Sequence, residues 1–374
     1  MVVDDAIVVR ALLSRWISEA SDLKLVAALR NGREALDQVE QLDPDVVVLD
    51  IEMPELDGIA TLPRLLEKRR DLAVIMASAL TRAHAEISLR ALALGAADYI
   101  PKPDGEGGLI TLISFQRELI EKIRALGRRR RRPVAPPAYA RRRLGPATRR
   151  LAGAAQRTAR WRTPDLADGP AIGLRPFSHV APRVLLVGAS TGGPQALIKL
   201  IAHLDAVTDS APVLIAQHMP ATFTTILAEH LSRASAKPVR EAVDGEPVLA
   251  GAIYIAPGGK HMRVARRNGT APIALDDGPP INFCKPSLDP LFSSAAGVWG
   301  AWNLALILTG MGTDGTDGAV DIVAGGGSVI AQDEETSVVW GMPGSAAEAG
   351  LCSAVLPLEQ IAPTVVRMFL GARP

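Results

Sequence analysis

Four apolar runs in the first 103 residues each end on polar groups, and this repetition constrains the fold more than any other feature. Val2-Val3 ends on Asp4-Asp5, and Val46-Val47-Val48-Leu49 ends on Asp50. Ala73-Val74-Ile75-Met76-Ala77 ends on Ser78, and Asp98-Tyr99-Ile100 leads to Lys102 just before Pro103. Strand-like runs at 2–4, 24–28, 46–50, 73–78 and 97–101 alternate with amphipathic helical stretches at about 6–18, 32–42, 57–69, 82–94 and 108–126. Such alternation predicts a parallel sheet with helices on both faces. Strand carboxyl ends in such sheets converge on one crevice, so the polar groups are expected to meet there. Only Met1-Val2-Val3 precede the acidic pair, so a strand that should be central is expected to be short.

The expected cluster is acidic, with one hydroxyl and one ammonium. Asp5, Asp50 and the backbone carbonyl of Glu52 offer hard oxygen ligands suited to Mg2+, with Asp4 close by. A cation there would leave Asp50 as the nucleophile toward a phosphoryl group. Lys102 is placed to pair with that group and Ser78 to donate to it. Such equipment marks the first third of the chain as a switch for something downstream.

The 374 residues allow two or three domains. A net charge of +1 hides a strong asymmetry: 13 arginines and no acidic residue lie between Arg128 and Arg162, which leaves 28 basic against 40 acidic residues elsewhere. Prolines punctuate this stretch, and it cannot bury enough apolar surface to offset chain entropy. Residues 125–182 are therefore expected to form a flexible, self-repelling linker between domains at 1–124 and 183–374. Clustered arginine also binds phosphate. A DNA-binding regulator built on that segment, the first alternative, needs a recognition module that the downstream sequence does not display, so no nucleic acid is expected. Two cysteines, Cys284 and Cys352, are too few for a disulfide framework and suit the cytoplasm. No secretory signal or membrane insertion is expected, and the weakly polar stretch Ala295–Gly312 reads as a buried helix and strand.

The second domain again alternates strand and helix, around a Gly/Pro-rich middle at 243–290 that reads as hairpins and loops. The strand Val184-Leu185-Leu186-Val187 leads into Gly188-Ala189-Ser190-Thr191-Gly192-Gly193-Pro194 and then a helix. A serine on a strand-to-helix turn exposes its hydroxyl, and the helix N-terminus suits an anion; a phosphate-binding turn fits the same pattern. A serine nucleophile needs a base. His218 ends the strand Val213-Leu214-Ile215-Ala216-Gln217, and His261 is its only rival. A third strand, Leu304–Leu308, leads into Thr309-Gly310-Met311-Gly312-Thr313-Asp314-Gly315. Asp314 is placed to accept from an imidazole and an amide near Met311 to stabilise an oxyanion. Asp317 and Asp333 are alternative carboxylates. The chain order Ser-His-Asp disfavours the α/β-hydrolase fold.

Residues 1 to about 124 resemble a response-regulator receiver domain, most specifically over Leu49-Asp50-Ile51-Glu52-Met53-Pro54-Glu55-Leu56-Asp57-Gly58. Residues 183 to about 370 resemble the catalytic domain of the CheB family of chemotaxis protein-glutamate methylesterases. The likeness rests on the Ser190 and Asp314 motifs, on Gln217-His218-Met219-Pro220 and on Tyr254-Ile255-Ala256-Pro257-Gly258. Many relatives carry a His-Arg pair where this chain has Cys284-Lys285. The resemblance implies a (βα)5 receiver followed by a doubly wound, mainly parallel α/β methylesterase domain. It implies phosphorylation of Asp50 by a chemotaxis histidine kinase, with Tyr99 at the aromatic switch position. It implies Ser190 as nucleophile, His218 as base, Asp314 as orienting acid, and Thr191 and Met311 beside the oxyanion. The expected substrates are methylated glutamates, and some glutamines, of chemoreceptors. Mg2+ is expected at the receiver and no cofactor for ester hydrolysis. A binding protein that uses the esterase fold without catalysis is the second alternative.

Overall fold

The computed structural model describes residues 1–103, 108–131, 172–267 and 269–372. The first body is a five-stranded parallel sheet in the order β2-β1-β3-β4-β5, with β1 at Val2–Val3, β2 at Ala28–Leu29, β3 at Val46–Asp50, β4 at Ala73–Ser78 and β5 at Asp98–Pro101. Helices α1 (Ile7–Glu19), α2 (Gly32–Leu42), α3 (Gly58–Lys68), α4 (Arg82–Ala93) and α5 (Gly108–Arg131) cover its two faces. All five residues of β3 are buried, as expected of a strand covered on both sides. Asn31, Asp57 and Thr81 cap α2, α3 and α4, each accepting a backbone N–H from the first turn. Gly58 starts α3 against β3, where an added Cβ would lie 2.1 Å from the Asp50 carbonyl oxygen.

Two expectations change here. The strand expected at 24–28 shrinks to Ala28–Leu29, because β1 has only two residues and offers only two partners, Val2 to Ala28 and Val3 to Leu29. The short β1 still holds the sheet centre: Val2 and Val3 are fully buried, and the Met1 ammonium donates to the Val46 carbonyl at 2.9 Å. Burial pushes that ammonium down to about 6. The last helix runs on to Arg131, past the boundary expected at 124, since arginine is a good helix former.

The second body is a seven-stranded sheet, parallel throughout, in the order β14-β13-β12-β6-β7-β9-β8. Its strands are β6 (Val184–Ala189), β7 (Val213–Gln217), β8 (Val239–Glu241), β9 (Ile253–Ile255), β12 (Asn303–Ile307), β13 (Ser328–Gln332) and β14 (Ala354–Leu356). Helices α6 (Gly193–Ile201), α7 (Asp205–Thr208), α8 (Ala221–Ala234), α9 (Leu288–Trp299), α10 (Thr316–Ala324), α11 (Met342–Glu348) and α12 (Leu358–Phe369) flank it. The Gly/Pro-rich middle forms an antiparallel pair, β10 (His261–Val264) and β11 (Ile273–Asp276). From β6 the chain winds one way to β7, β9 and β8, and later the other way through β12, β13 and β14. The crevice at this reversal is where such sheets bind ligands.

The stretch 295–312 divides between α9 and β12, and no helix among the described residues is long and apolar enough to cross a membrane. Residues before 183 already pack on the second body: Arg175 N–H donates to the Cys352 carbonyl at 2.9 Å and Ser178 N–H to Ser328 Oγ at 2.8 Å. Most of the arginine-rich linker, residues 132–171, lies outside the described residues.

Candidate active site

Three loops leave the carboxyl ends of adjacent strands β12, β6 and β7 and carry Asp314, Ser190 and His218. Ser190 follows β6, its N–H donating to the Thr309 carbonyl at 3.0 Å, and His218 follows β7, its N–H donating to the Ala189 carbonyl at 3.1 Å. Between them Gln217 Nε2 donates to the Ser190 carbonyl at 3.0 Å and the His218 carbonyl at 3.3 Å. The turn into α6 needs glycine: Gly192 has φ +76°, and a Cβ there would lie 2.5 Å from Val338. Gly310 brings the third loop close, since a Cβ there would sit 2.9 Å from Ser190 Cβ.

Asp314 is buried and fully partnered. Its Oδ2 accepts from His218 Nε2 at 2.7 Å and Leu288 N–H at 2.7 Å, and its Oδ1 accepts from Ser287 Oγ at 2.6 Å. Burial alone would raise its pKa, but these donors and the imidazolium charge outweigh burial and hold it below the usual carboxylate range. Burial disfavours the charged form of His218, yet neighbouring Cys284 and Asp314 outweigh it and raise its pKa. With Nε2 committed to Asp314, Nδ1 is the ring nitrogen left to act as base. The Ser190 hydroxyl makes no hydrogen bond with a described residue.

His261, the rival base, is excluded by its surroundings. It is 1% exposed, its Nδ1 accepts the Ser287 N–H at 3.2 Å, and its Nε2 donates to the Pro279 carbonyl at 3.0 Å. Both nitrogens hold the turn that carries Ser287. Of the alternative carboxylates, Asp317 is exposed on α10 and Asp333 bonds Thr336.

Sequence reasoning gave Ser287 and Asp289 no role. Asp289 Oδ1 accepts from Gly315 N–H at 3.0 Å and Gly318 N–H at 2.8 Å, anchoring the loop that carries Asp314. Burial and the neighbouring Asp314 charge push its carboxyl up to about 7 against those amides. The available signal was a Ser-x-Asp pattern at a helix start, since Ser287 caps α9. Ser287→Ala is expected to lower kcat about tenfold, the scale of one hydrogen bond to a charged group. Removing that donor concentrates charge on Asp314 and raises the His218 pKa further. The acid limb of kcat/KM should therefore move to higher pH, and Ser287→Thr should restore it. A pH–rate profile checks the sign.

At the receiver, carboxylate oxygens of Asp4, Asp5 and Asp50 lie within 4.8 Å of one another. Lys102 Nζ bridges Asp4 and Asp50 at 2.7 Å each. Burial raises the Asp50 pKa, with Lys102 opposing it. The Glu52 side-chain carboxylate pairs with His84 Nε2 at 3.2 Å, whereas the oxygen expected at the cluster is its backbone carbonyl. Ser78 Oγ accepts from Ser88 Oγ at 2.8 Å and makes no bond to Asp50 or Lys102, because α4 brings Ser88 directly against it.

Tyr99 points away from this cluster and into the second body. Its ring stacks on Phe223 of α8 with centroids 4.5 Å apart and planes 7° apart. Next to it, Asp98 accepts from Thr191 Oγ1 at 2.8 Å and pairs with buried Lys122 at 2.9 Å. Gln195 Nε2 reaches the Ala96 carbonyl at 3.0 Å, and Arg82 pairs with Glu229 at 2.6 Å. The receiver thus grips the residue that follows Ser190.

The family model of the CheB methylesterase matches residues 185–365, and that of the response regulator receiver domain matches residues 1–114. A Bradyrhizobium diazoefficiens protein named protein-glutamate methylesterase/protein-glutamine glutaminase of group 2 operon is 58% identical over 380 residues, covering 100% of this chain and 94% of that protein. The chain belongs to the CheB methylesterase family. A Rhodopseudomonas palustris member named protein-glutamate methylesterase/protein-glutamine glutaminase is 57% identical over 373 residues, with 100% and 94% coverage. The crystal structure of the Thermotoga maritima CheB methylesterase catalytic domain is 41% identical, covering 50% of this chain and 100% of that one, with a TM-score of 0.49. The receiver-then-esterase order read from the sequence is the order of the two matches in this family member.

Proposed function

We propose that the chain is a cytoplasmic, phosphorylation-activated methylesterase acting on γ-glutamyl methyl esters of chemoreceptor signalling helices. The observation that carries this reading is Ser190 at the strand-end crevice carrying a part-buried His218–Asp314 pair, under a receiver that grips Thr191. Ser190 Oγ attacks the ester carbonyl while His218 Nδ1 takes its proton. Amides near Thr191 and Met311 hold the oxyanion; neither N–H has an acceptor among the described residues. His218 returns the proton to the leaving methoxide, methanol departs, and an acyl-enzyme remains. Water, deprotonated by His218, then cleaves the acyl-enzyme to glutamate and free Ser190. An amide in place of the ester leaves as ammonia by the same steps, which is glutamine deamidation. Asp314 keeps the imidazole oriented and stabilises its charged form.

At the receiver, Asp50 accepts a phosphoryl group from a histidine kinase. The all-oxygen set of Asp4, Asp5 and Asp50 suits Mg2+, with the Glu52 carbonyl as a further ligand. When bound, the cation neutralises charge on the phosphoryl oxygens. A phosphoryl group competes for Lys102, draws on β5, and loosens Tyr99 and Asp98 from Phe223 and Thr191. The described elements after the linker are accounted for by the α/β body and its hairpin, which leaves the DNA-binding alternative without a module among the described residues.

Incubation with methylated receptor should release methanol and convert the esterified residues to glutamate by mass spectrometry. A receptor that keeps its methyl groups would contradict the reading. Chelation of Mg2+ with EDTA is expected to abolish the response to a small-molecule phosphodonor while leaving basal turnover within about twofold, because the cation acts at the receiver. Loss of basal turnover on chelation would count against this separation.

A further inference from the structure

Ile281 and Cys284 exchange two backbone hydrogen bonds of 3.1 and 2.8 Å, closing a two-residue turn over Asn282 and Phe283. Both turn residues have positive φ, 50° and 65°. Turns of this kind favour Asn followed by Gly. Asn282 meets that preference, whereas Phe283 places a bulky side chain where the left-handed backbone is strained. Packing does not explain the choice, since the Phe283 side chain is 78% exposed. A strained residue that the core does not use points to a functional demand.

The location narrows that demand. Asn282 Nδ2, in the same turn, donates to Asp289 Oδ2 at 3.3 Å, and Ser287 and Leu288 just beyond hold Asp314. Phe283 therefore stands at the rim of the crevice. Its ring is covered on one side by the receiver, with the Arg117 guanidinium of α5 3.3 Å from the ring centroid.

We propose that Phe283 is a docking residue for the substrate helix, seating an apolar side chain one helical turn from the esterified glutamate, and that Arg117 occupies one face of its ring in the resting state. This rests on the esterase reading of the site. The methyl ester is small and uncharged, so recognition of a protein substrate must come largely from residues around it. On a helix the neighbours on the same face are three or four positions away. An exposed aromatic ring presents large apolar area with few torsions to freeze, as at protein–protein interfaces. Release of Arg117 on receiver opening would free the ring as the crevice opens, linking substrate capture to activation.

The test uses full-length protein activated with a phosphodonor and methylated receptor as substrate. Phe283→Gly and Phe283→Asn both suit the turn, so the melting temperature should hold or rise. Both are expected to raise KM about tenfold or more with kcat at saturating receptor preserved. Phe283→Leu, which keeps an apolar contact, should lose less. An unchanged KM in the Gly and Asn variants would overturn the proposal. So would a rise in unphosphorylated activity with activated KM unchanged, which would assign the ring to domain docking alone. Failure of the esterase reading is distinguished separately, because Ser190→Ala would then match wild type.

Discussion

Ser190→Ala is expected to cut methanol release by about three orders of magnitude or more, the scale seen when a nucleophile is removed from a serine hydrolase site. The side chain lies on a turn and makes no hydrogen bond with a described residue, so the melting temperature should change little. His218→Ala should be as severe, and the double variant little worse, because the two groups act as one unit. His261→Ala should differ in kind. It removes the support beneath Ser287, so its loss is expected to be milder and accompanied by lower stability. Steady-state methanol release with parallel thermal melts separates these cases. A folded Ser190→Ala protein with near wild-type turnover would exclude the covalent mechanism.

The second large effect concerns the switch. Asp50→Asn should abolish the response to phosphodonor and Mg2+ while keeping basal activity low, since it removes the acceptor and leaves the domain contacts intact. Tyr99→Ala should do the reverse and raise basal activity about tenfold. The stacked Tyr99–Phe223 pair is worth about 0.5–1.5 kcal/mol beyond the area it buries. The exposed Arg82–Glu229 pair contributes about 1 kcal/mol at most. Tenfold activation requires only about 1.4 kcal/mol of differential stabilisation. Loss of one aromatic contact is therefore comparable to the whole bias needed. Methanol release by the unphosphorylated variants checks both signs.

The strand-end polar groups were legible in the sequence because parallel α/β order places them by topology alone. Asp4, Asp5, Asp50 and Lys102 meet as that order requires; the loops carrying Ser190, His218 and Asp314 leave adjacent strands, with His218 bonded to Asp314. Topology sets where a strand ends, whereas Ser88 and His84 on α4 decide where the Ser78 hydroxyl and the Glu52 carboxylate turn. The supports of Asp314 were hidden for a similar reason: Ser287 and Asp289, at the cap and first turn of α9, are fixed by contacts with residues about 26 positions away. The grip of Asp98 on Thr191 spans 93 positions and joins two domains whose docking carries no local signal. The shortened β2 follows from β1, where the ladder ends because its partner does.

The most direct measurement is the ratio of methanol release from methylated receptor by the full-length protein after and before treatment with phosphodonor and Mg2+, made in parallel on wild type and Asp50→Asn. The account predicts a rise of about tenfold or more in wild type and none in Asp50→Asn, given the modest bias that separates closed from open. Equal rates before and after treatment in wild type would contradict it and leave an esterase that the receiver does not control.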